Sequence, residues 1–315
     1  MTLSSVDLQS QNRTEVPTQA TTNTLWGNVI MKCLATRQHF ELPQYTTLNE
    51  KYGILAEESI GRKFGGDFEL KYFGIGVRGW KCDGTNVLGG SKSKLLQHQP
   101  IDMDMFSPIP FIGRPLSQDL DPFVRQNYRM RTIKDIGDVE PWVFYWIKLT
   151  NFDNYGPGVY KITRDEDGNE SPVTYVPERD NLFSPQPRDF NSEGSVPIPD
   201  VYLNSSGLYD CSLHGQDLVE CVNACRALYN DASLASISES TMIWGYDTKT
   251  DGQIGNGAVV RYDEIVSAVV GHHVTEKDGR QANNNTDINM VFDHGASEPM
   301  LLHTDATAPV TGSGN

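Results

Sequence analysis

Residues Gln97–Lys134 read QHQPIDMDMFSPIPFIGRPLSQDLDPFVRQNYRMRTIK, and every other segment is most easily placed relative to them. Pro100, Pro108, Pro110, Pro115 and Pro122 fix φ and remove backbone donors, so most of the stretch is expected to be neither regular helix nor central strand. Yet Ile101, Met103, Met105, Phe106, Ile109, Phe111, Ile112, Leu116, Leu120, Phe123 and Tyr128 bring far more apolar surface than a disordered linker carries. The stretch therefore reads as a packed strap of shaped backbone, laid on this chain's own sheet or on a neighbouring subunit. Asp121 and Pro122 cap and open a short helix, after which Arg125, Arg129 and Arg131 cluster around Tyr128. Arg125, Tyr128, Arg129, Arg131, Phe106 and Phe111 are the interface candidates, because guanidinium forks and aromatic rings are common interface anchors. The alternative is pairing within the chain, to Asp119, Asp121 or other acids.

Outward from the strap, strand signals dominate. Glu69–Trp80 and Glu140–Leu149 read as strands, the second apolar on both faces and therefore covered on both. Gly158–Val176 has the alternation and the DEDGNE turn of a hairpin, its acidic tip solvated. Gln44–Ile60 reads as helix closed by Gly61, and Gly215–Tyr229 as an amphipathic helix with Leu218, Val222, Cys225 and Leu228 on one stripe. Trp26–Leu34 fits a short strand or helix; Ala258–Val270 favours helix, with strand open to it; Ile288–His303 contains a further strand. Asp83–Lys94 is expected to be an exposed loop. The expected fold is α+β and β-rich: antiparallel sheet and hairpins, a few helices, long Pro-rich straps and terminal arms. The expected organisation is an extended arm over 1–24, a β-rich domain over 25–176 including the strap, a long connection over 177–206, an α/β region over 207–303 and a polar tail over 304–315.

The 315 residues suffice for one large or two ordinary domains, and a net charge of −15 argues against broad nucleic-acid or anionic-membrane binding. With no long apolar run and neither a basic nor an apolar segment in the N-terminal region, no membrane span or secretory signal is read, and synthesis in the cytosol is expected. The five cysteines are then expected to be reduced.

Catalytic and cofactor signals are weak. Gly74, Gly76 and Gly79 have GxGxxG spacing but lie within a strand, so they read as glycines at close packing contacts rather than a dinucleotide loop. Cys211, His214, Cys221 and Cys225 are zinc-ligand types, but the helical stripe carrying Cys221 and Cys225 is already apolar, which favours core thiols. Asp247, Lys249, Asp251 and Gly252 resemble a calcium loop, with Lys249 and Ala258 standing where ligands are required, so an Asp-Gly turn is read. His272, His273, His294 and His303 have no evident nucleophile to serve. No catalytic residue, metal or cofactor is assigned.

FELKYFGIGVRG (68–79), the strap over 98–131, ALYNDASLASISES (227–240) and VFDHGASEPMLL (291–302) together resemble uncharacterised virion structural proteins of tailed bacteriophages. The resemblance implies a non-enzymatic subunit of the head-to-tail connection, tail or baseplate, located in the virion after synthesis in the host cytoplasm. The implied partners are copies of itself in a ring and other virion proteins. Two other classes stay open: a particle-associated hydrolase with a carboxylate pair, and a receptor- or carbohydrate-binding β module displaying Trp80, Trp142, Trp146 or Trp244.

Overall fold

The computed structural model describes residues 18–54, 68–85, 91–137, 139–151, 158–176, 192–253, 259–282 and 287–305. In chain order the elements are β1 (Gln19–Asn23), α1 (Leu25–Thr36), α2 (Leu48–Tyr52), β2 (Glu69–Val77), β3 (Trp80–Thr85), β4 (Ser91–Leu95), β5 (Ser107–Ile109), β6 (Ile112–Pro115), α3 (Pro122–Arg125), β7 (Tyr128–Asp135) and β8 (Pro141–Leu149). They continue as β9 (Tyr160–Arg164), β10 (Glu170–Thr174), β11 (Ser192–Asn204), β12 (Gly207–Asp210), α4 (Gln216–Tyr229), β13 (Ser236–Gln253), β14 (Val259–Gln281), β15 (Val291–His294) and β16 (Ser297–Asp305). The fold is β-rich α+β with antiparallel sheets, as the strand signals predict.

The larger of two compact units comprises Glu15–Thr150 and Cys211–Met290. It is built on an eight-stranded sheet ordered β1-β14-β13-β2-β8-β6, with β5 added to β2 and β7 to β8. Its axis is the hairpin of β13 and β14, 18 and 23 residues long. Ala258–Val270 is favoured as helix by its spacing; Val259–Val270 instead pairs with β13 as strand, β1 joining β14 further along at His272–Glu276, and Ala258 lies outside the described residues. The ambiguity has a physical origin. Ala268 and Val270 join a core cluster with Tyr72, Phe144, Trp146 and Ile243, while Val269 joins another with Ile30, Phe40 and Phe68. A strand covered on both faces loses the polar alternation that would distinguish it from a buried helix.

Local chemistry sets the helices. Thr24 caps α1, its Oγ1 accepting from Gly27 N–H at 3.0 Å, and Arg37 ends it in the left-handed region at φ 54°. The helix expected over Gln44–Ile60 is confined to α2 by a Thr47/Glu50 capping box and by Gly53 at φ 65°; residues 55–60 and Gly61 lie outside the described residues. α4 runs as expected, and it approaches β6 where both partners are small: a Cβ on Gly113 would lie 2.9 Å from Ala224 Cα and 2.6 Å from the Phe144 ring.

The strap is less irregular than its prolines suggest. Its short strands β5 and β6 join the sheet, with Pro108 inside β5 and Pro115 closing β6, and β7 begins at Tyr128. Met103, Met105, Ile109, Phe111, Ile112, Leu120 and Tyr128 are buried, so this chain's own sheet covers the inner face. The exposed loop expected over Asp83–Lys94 is largely the β3/β4 pair, with 86–90 outside the described residues.

The smaller unit includes Asn151–Asp210 and the segment from Val291. It contains the sheet β10-β9-β11-β16 and the pair β12-β15. The hairpin expected over Gly158–Val176 is β9/β10, turned by Gly168 at φ 85° with Asp165 accepting from the Asp167 and Asn169 amides. The expected organisation needs three corrections. Gln19–Asn23, placed in an extended arm, is an edge strand, ordered by its contact with β14. Ser192–Asn204, placed in a connection, is a strand between β9 and β16. The division is also not sequential, since the smaller unit draws on separated stretches, Asn151–Asp210 and the segment from Val291 among them. Residues 1–17 and 306–315, in the expected arms, lie outside the described residues.

Candidate functional site

In the larger unit the strap crosses β2, β13 and β14 over a buried polar cluster. A turn holds its strap side: Asp102 N–H donates to the Gln99 carbonyl at 2.9 Å, while Asp102 Oδ2 accepts from Gln99 N–H and His98 Nδ1, each at 2.9 Å. The sheet side comes from Glu239 on β13 and His273 on β14. His98 Nε2 contacts Glu239 Oε1 directly, and Phe106 N–H donates to the two Glu239 oxygens at 3.0 and 3.1 Å. The His98 ring lies between Phe106, 3.9 Å away at 15°, and His273, 3.8 Å away at 13°. His98 is 4% exposed, and Glu239 and His273 are each 1% exposed.

Gly76 makes room for this arrangement. A Cβ there would come within 2.9 Å of Glu239 Oε2, 3.0 Å of Ser107 O and 3.1 Å of Met105 Sδ. Gly74 and Gly79 likewise face Met105 and Ser238 at close range, so the glycine spacing serves packing.

Burial pushes the Glu239 carboxyl up, more than the donors from His98 and Phe106 pull it down. Burial works in the opposite direction on His98, but Glu239 and Asp102 outweigh it and raise that imidazole. Both shifts favour a proton held between His98 and Glu239. His273 is pushed down to about 4 by burial and by the neighbouring His98, so its ring is neutral. Its Nε2 donates to the Asp102 carbonyl at 3.1 Å, and its buried Nδ1 has no hydrogen-bond partner. An open cleft touches the cluster at His98, Asp102 and Phe106 and is also lined by Lys51 and Asp104.

The sequence-derived candidates land elsewhere. Arg125 pairs with Glu264 at 3.0 Å and stacks over Tyr262; Arg129 Nε donates to Asp247 at 2.9 Å; Arg131 pairs with Asp119 at 2.7 Å. Tyr128 O–H donates to Asp217 at 3.2 Å, and Phe111 is fully buried. Within this chain these five act as internal braces: acids of the same chain pair with the arginines, and the sheet covers the rings. Phe106 alone of the six is exposed, at 41%.

The zinc array does not assemble. Cys221 and Cys225 are buried on α4, Cys211 lies 3.7 Å from Met242 Sδ, and His214 is an exposed partner of Asp287. Hydrogen bonding with Cys225 and burial keep Cys221 protonated, as expected of a core thiol. None of the five cysteines forms a disulfide. The Asp247–Gly252 segment is neither a calcium loop nor a turn. It lies in β13, where Asp251 pairs with Arg261 at 2.8 Å and Lys249 with Asp263 at 3.7 Å across the hairpin.

Among the flagged histidines only His273 joins the cluster. His272 contacts Asn23 at 2.6 Å, His294 packs beside Tyr209 in the smaller unit, and the His303 side chain is outside the described residues. Trp146 is buried, and Trp80, Trp142 and Trp244 are half-buried.

Residues 10–309 match a family of unknown function, DUF7208. The chain belongs to that family. No curated protein matches the chain, and no solved structure does. In this DUF7208 chain, sequence reading missed His98, Asp102 and Glu239. The available signal was a His and an Asp four apart, across a proline, in an otherwise apolar strap.

Proposed function

We propose that this chain is a non-enzymatic structural subunit of a tailed-phage particle, in the head-to-tail connection, tail or baseplate, acting through contacts with copies of itself in a ring and with other virion proteins. The observation that supports it most is the two-sided strap. Its inner face is locked into the sheet, while Ile101, Phe106, Leu116 and Phe123 stand exposed on the same short stretch. A fixed backbone that presents apolar side chains loses little entropy when a neighbour covers them. The resemblance to virion structural proteins points the same way. Cryo-electron microscopy and mass spectrometry of purified virions test the proposal. The chain is expected at a copy number set by a cyclic ring, with the strap at a subunit contact; its absence from purified virions overturns the proposal.

One observation favours a hydrolase instead. Asp102 and Asp104 border the same cleft, and burial lifts the Asp104 carboxyl more than Lys51 lowers it, which suits a proton donor. That reading predicts cell-wall degradation by the purified chain that Asp104→Asn abolishes; the structural reading predicts none in either protein.

A further inference from the structure

We propose that His98, Glu239 and His273 bind one divalent transition-metal cation of the zinc class, with Asp102 orienting both imidazoles. Two imidazoles and a carboxylate are a donor set for such ions. One ligand atom from each of the three residues lies within 4.8 Å of the others.

The surrounding hydrogen bonds select the ligand atoms. Metal-bound histidines usually donate their outer N–H to a carboxylate or a backbone carbonyl. Both forms occur here on one residue: the Asp102 carboxylate takes His98 Nδ1 at 2.9 Å, and the Asp102 carbonyl takes His273 Nε2 at 3.1 Å. This leaves His98 Nε2, already against Glu239, and His273 Nδ1, a buried lone pair with no partner. An unpaired buried acceptor is costly, and a cation removes the cost.

Charge balance supports the site. A dication would lie against the carboxylates of Glu239 and Asp102, and any proton held at His98 Nε2 is displaced to solvent when the ion takes that nitrogen. The cleft at His98, Asp102 and Phe106 supplies the route in.

Loading also requires movement. No ion can lie in the planes of two near-parallel rings stacked 3.8 Å apart, so one ring must tilt. His273 is held between β1 and β13, opposite Thr22 and Thr241, whereas His98 lies outside any strand, so the His98 ring is the one that tilts, giving up part of its stacking on Phe106 and His273.

Cobalt(II) titration of the chelator-stripped full chain tests the proposal. One equivalent is expected to bind, with visible ligand-field bands and no sulfur-to-metal charge-transfer band. His273→Gln keeps a donor for the Asp102 carbonyl but removes the free ring nitrogen, and is expected to weaken binding by more than about tenfold. Glu239→Gln is expected to do the same. Circular dichroism of both variants separates lost binding from lost folding, and if neither folds, the wild-type stoichiometry and spectrum decide. Failure to take up cobalt, a thiolate charge-transfer band, or undiminished affinity in a folded His273→Gln variant each overturns the proposal.

Discussion

Asp247 illustrates how much one acid does inside the larger unit. Its Oδ2 accepts from Tyr72 O–H at 2.7 Å and Arg129 Nε at 2.9 Å, tying β13 to β2 and β7. Burial pushes its carboxyl up, but the Tyr72 and Arg129 hydrogen bonds and the Lys71 charge outweigh that and hold it below the ordinary carboxylate range. A folded-state pKa below the unfolded one adds stability that is present above the unfolded value and lost as pH falls through the folded one. Stability should therefore decline below about pH 4, the unfolded carboxylate range, and Asp247→Asn should flatten that acid limb in urea melts recorded across pH. At neutral pH the same substitution should cost about 3 kcal/mol, because Arg129 is left buried without its closest acid. Charge reversal of Arg125 or Arg129 should likewise unfold the subunit rather than merely impair assembly, since both are internal braces.

The strap has separable faces, and each has its own signature. Phe111→Ala removes a fully buried ring and should cost about 3–5 kcal/mol in chemical denaturation. Phe123 is 76% exposed, so Phe123→Ser should change subunit stability by no more than about 0.5 kcal/mol while reducing incorporation into particles. Between the strap and β13, Gly76→Ala should cost about 1–3 kcal/mol, as the added methyl displaces Met105 or Glu239. The sequence revealed elements whose cause is local: the amphipathic stripe of α4, the turn of β9/β10, the two-faced apolar run of β8. It did not reveal β13 and β14 as one hairpin, because a covered strand has no alternation to read. Nor did it reveal the histidine cluster, which depends on register. Glu239 faces Gly76 and Thr275 only because β13 pairs with β2 on one side and β14 on the other. No spacing along the chain encodes that meeting.

At the scale of the whole molecule, the Asn151–Asp210 stretch of the smaller unit behaves as an insertion in the chain. Asn151 and Asp210 pair with each other through N–H···O bonds of 2.9 and 3.1 Å, so the chain returns beside the point where this segment began. A chain ending at Met290, with residues 152–209 replaced by a short glycine linker, should retain a cooperative melt and the far-ultraviolet spectrum of a β protein. Loss of cooperativity would mean that the larger unit does not fold alone. The interleaving was hidden from composition, which marks loops and cannot mark which distant strands close a sheet.

The sheet order also has a consequence during synthesis. β2 ends at Val77, yet its neighbour β13 begins only at Ser236, and β1 waits for β14. At roughly 5–20 residues per second, β2 emerges from the ribosome about 10–30 s before the strand that will cover its edge. For that interval the nascent chain carries an apolar, glycine-rich edge open to self-association. Chaperone cover is therefore expected to be needed until β13 and β14 have been translated, and slowing the ribosome between residues 77 and 236 should lower the soluble yield without altering a single native contact.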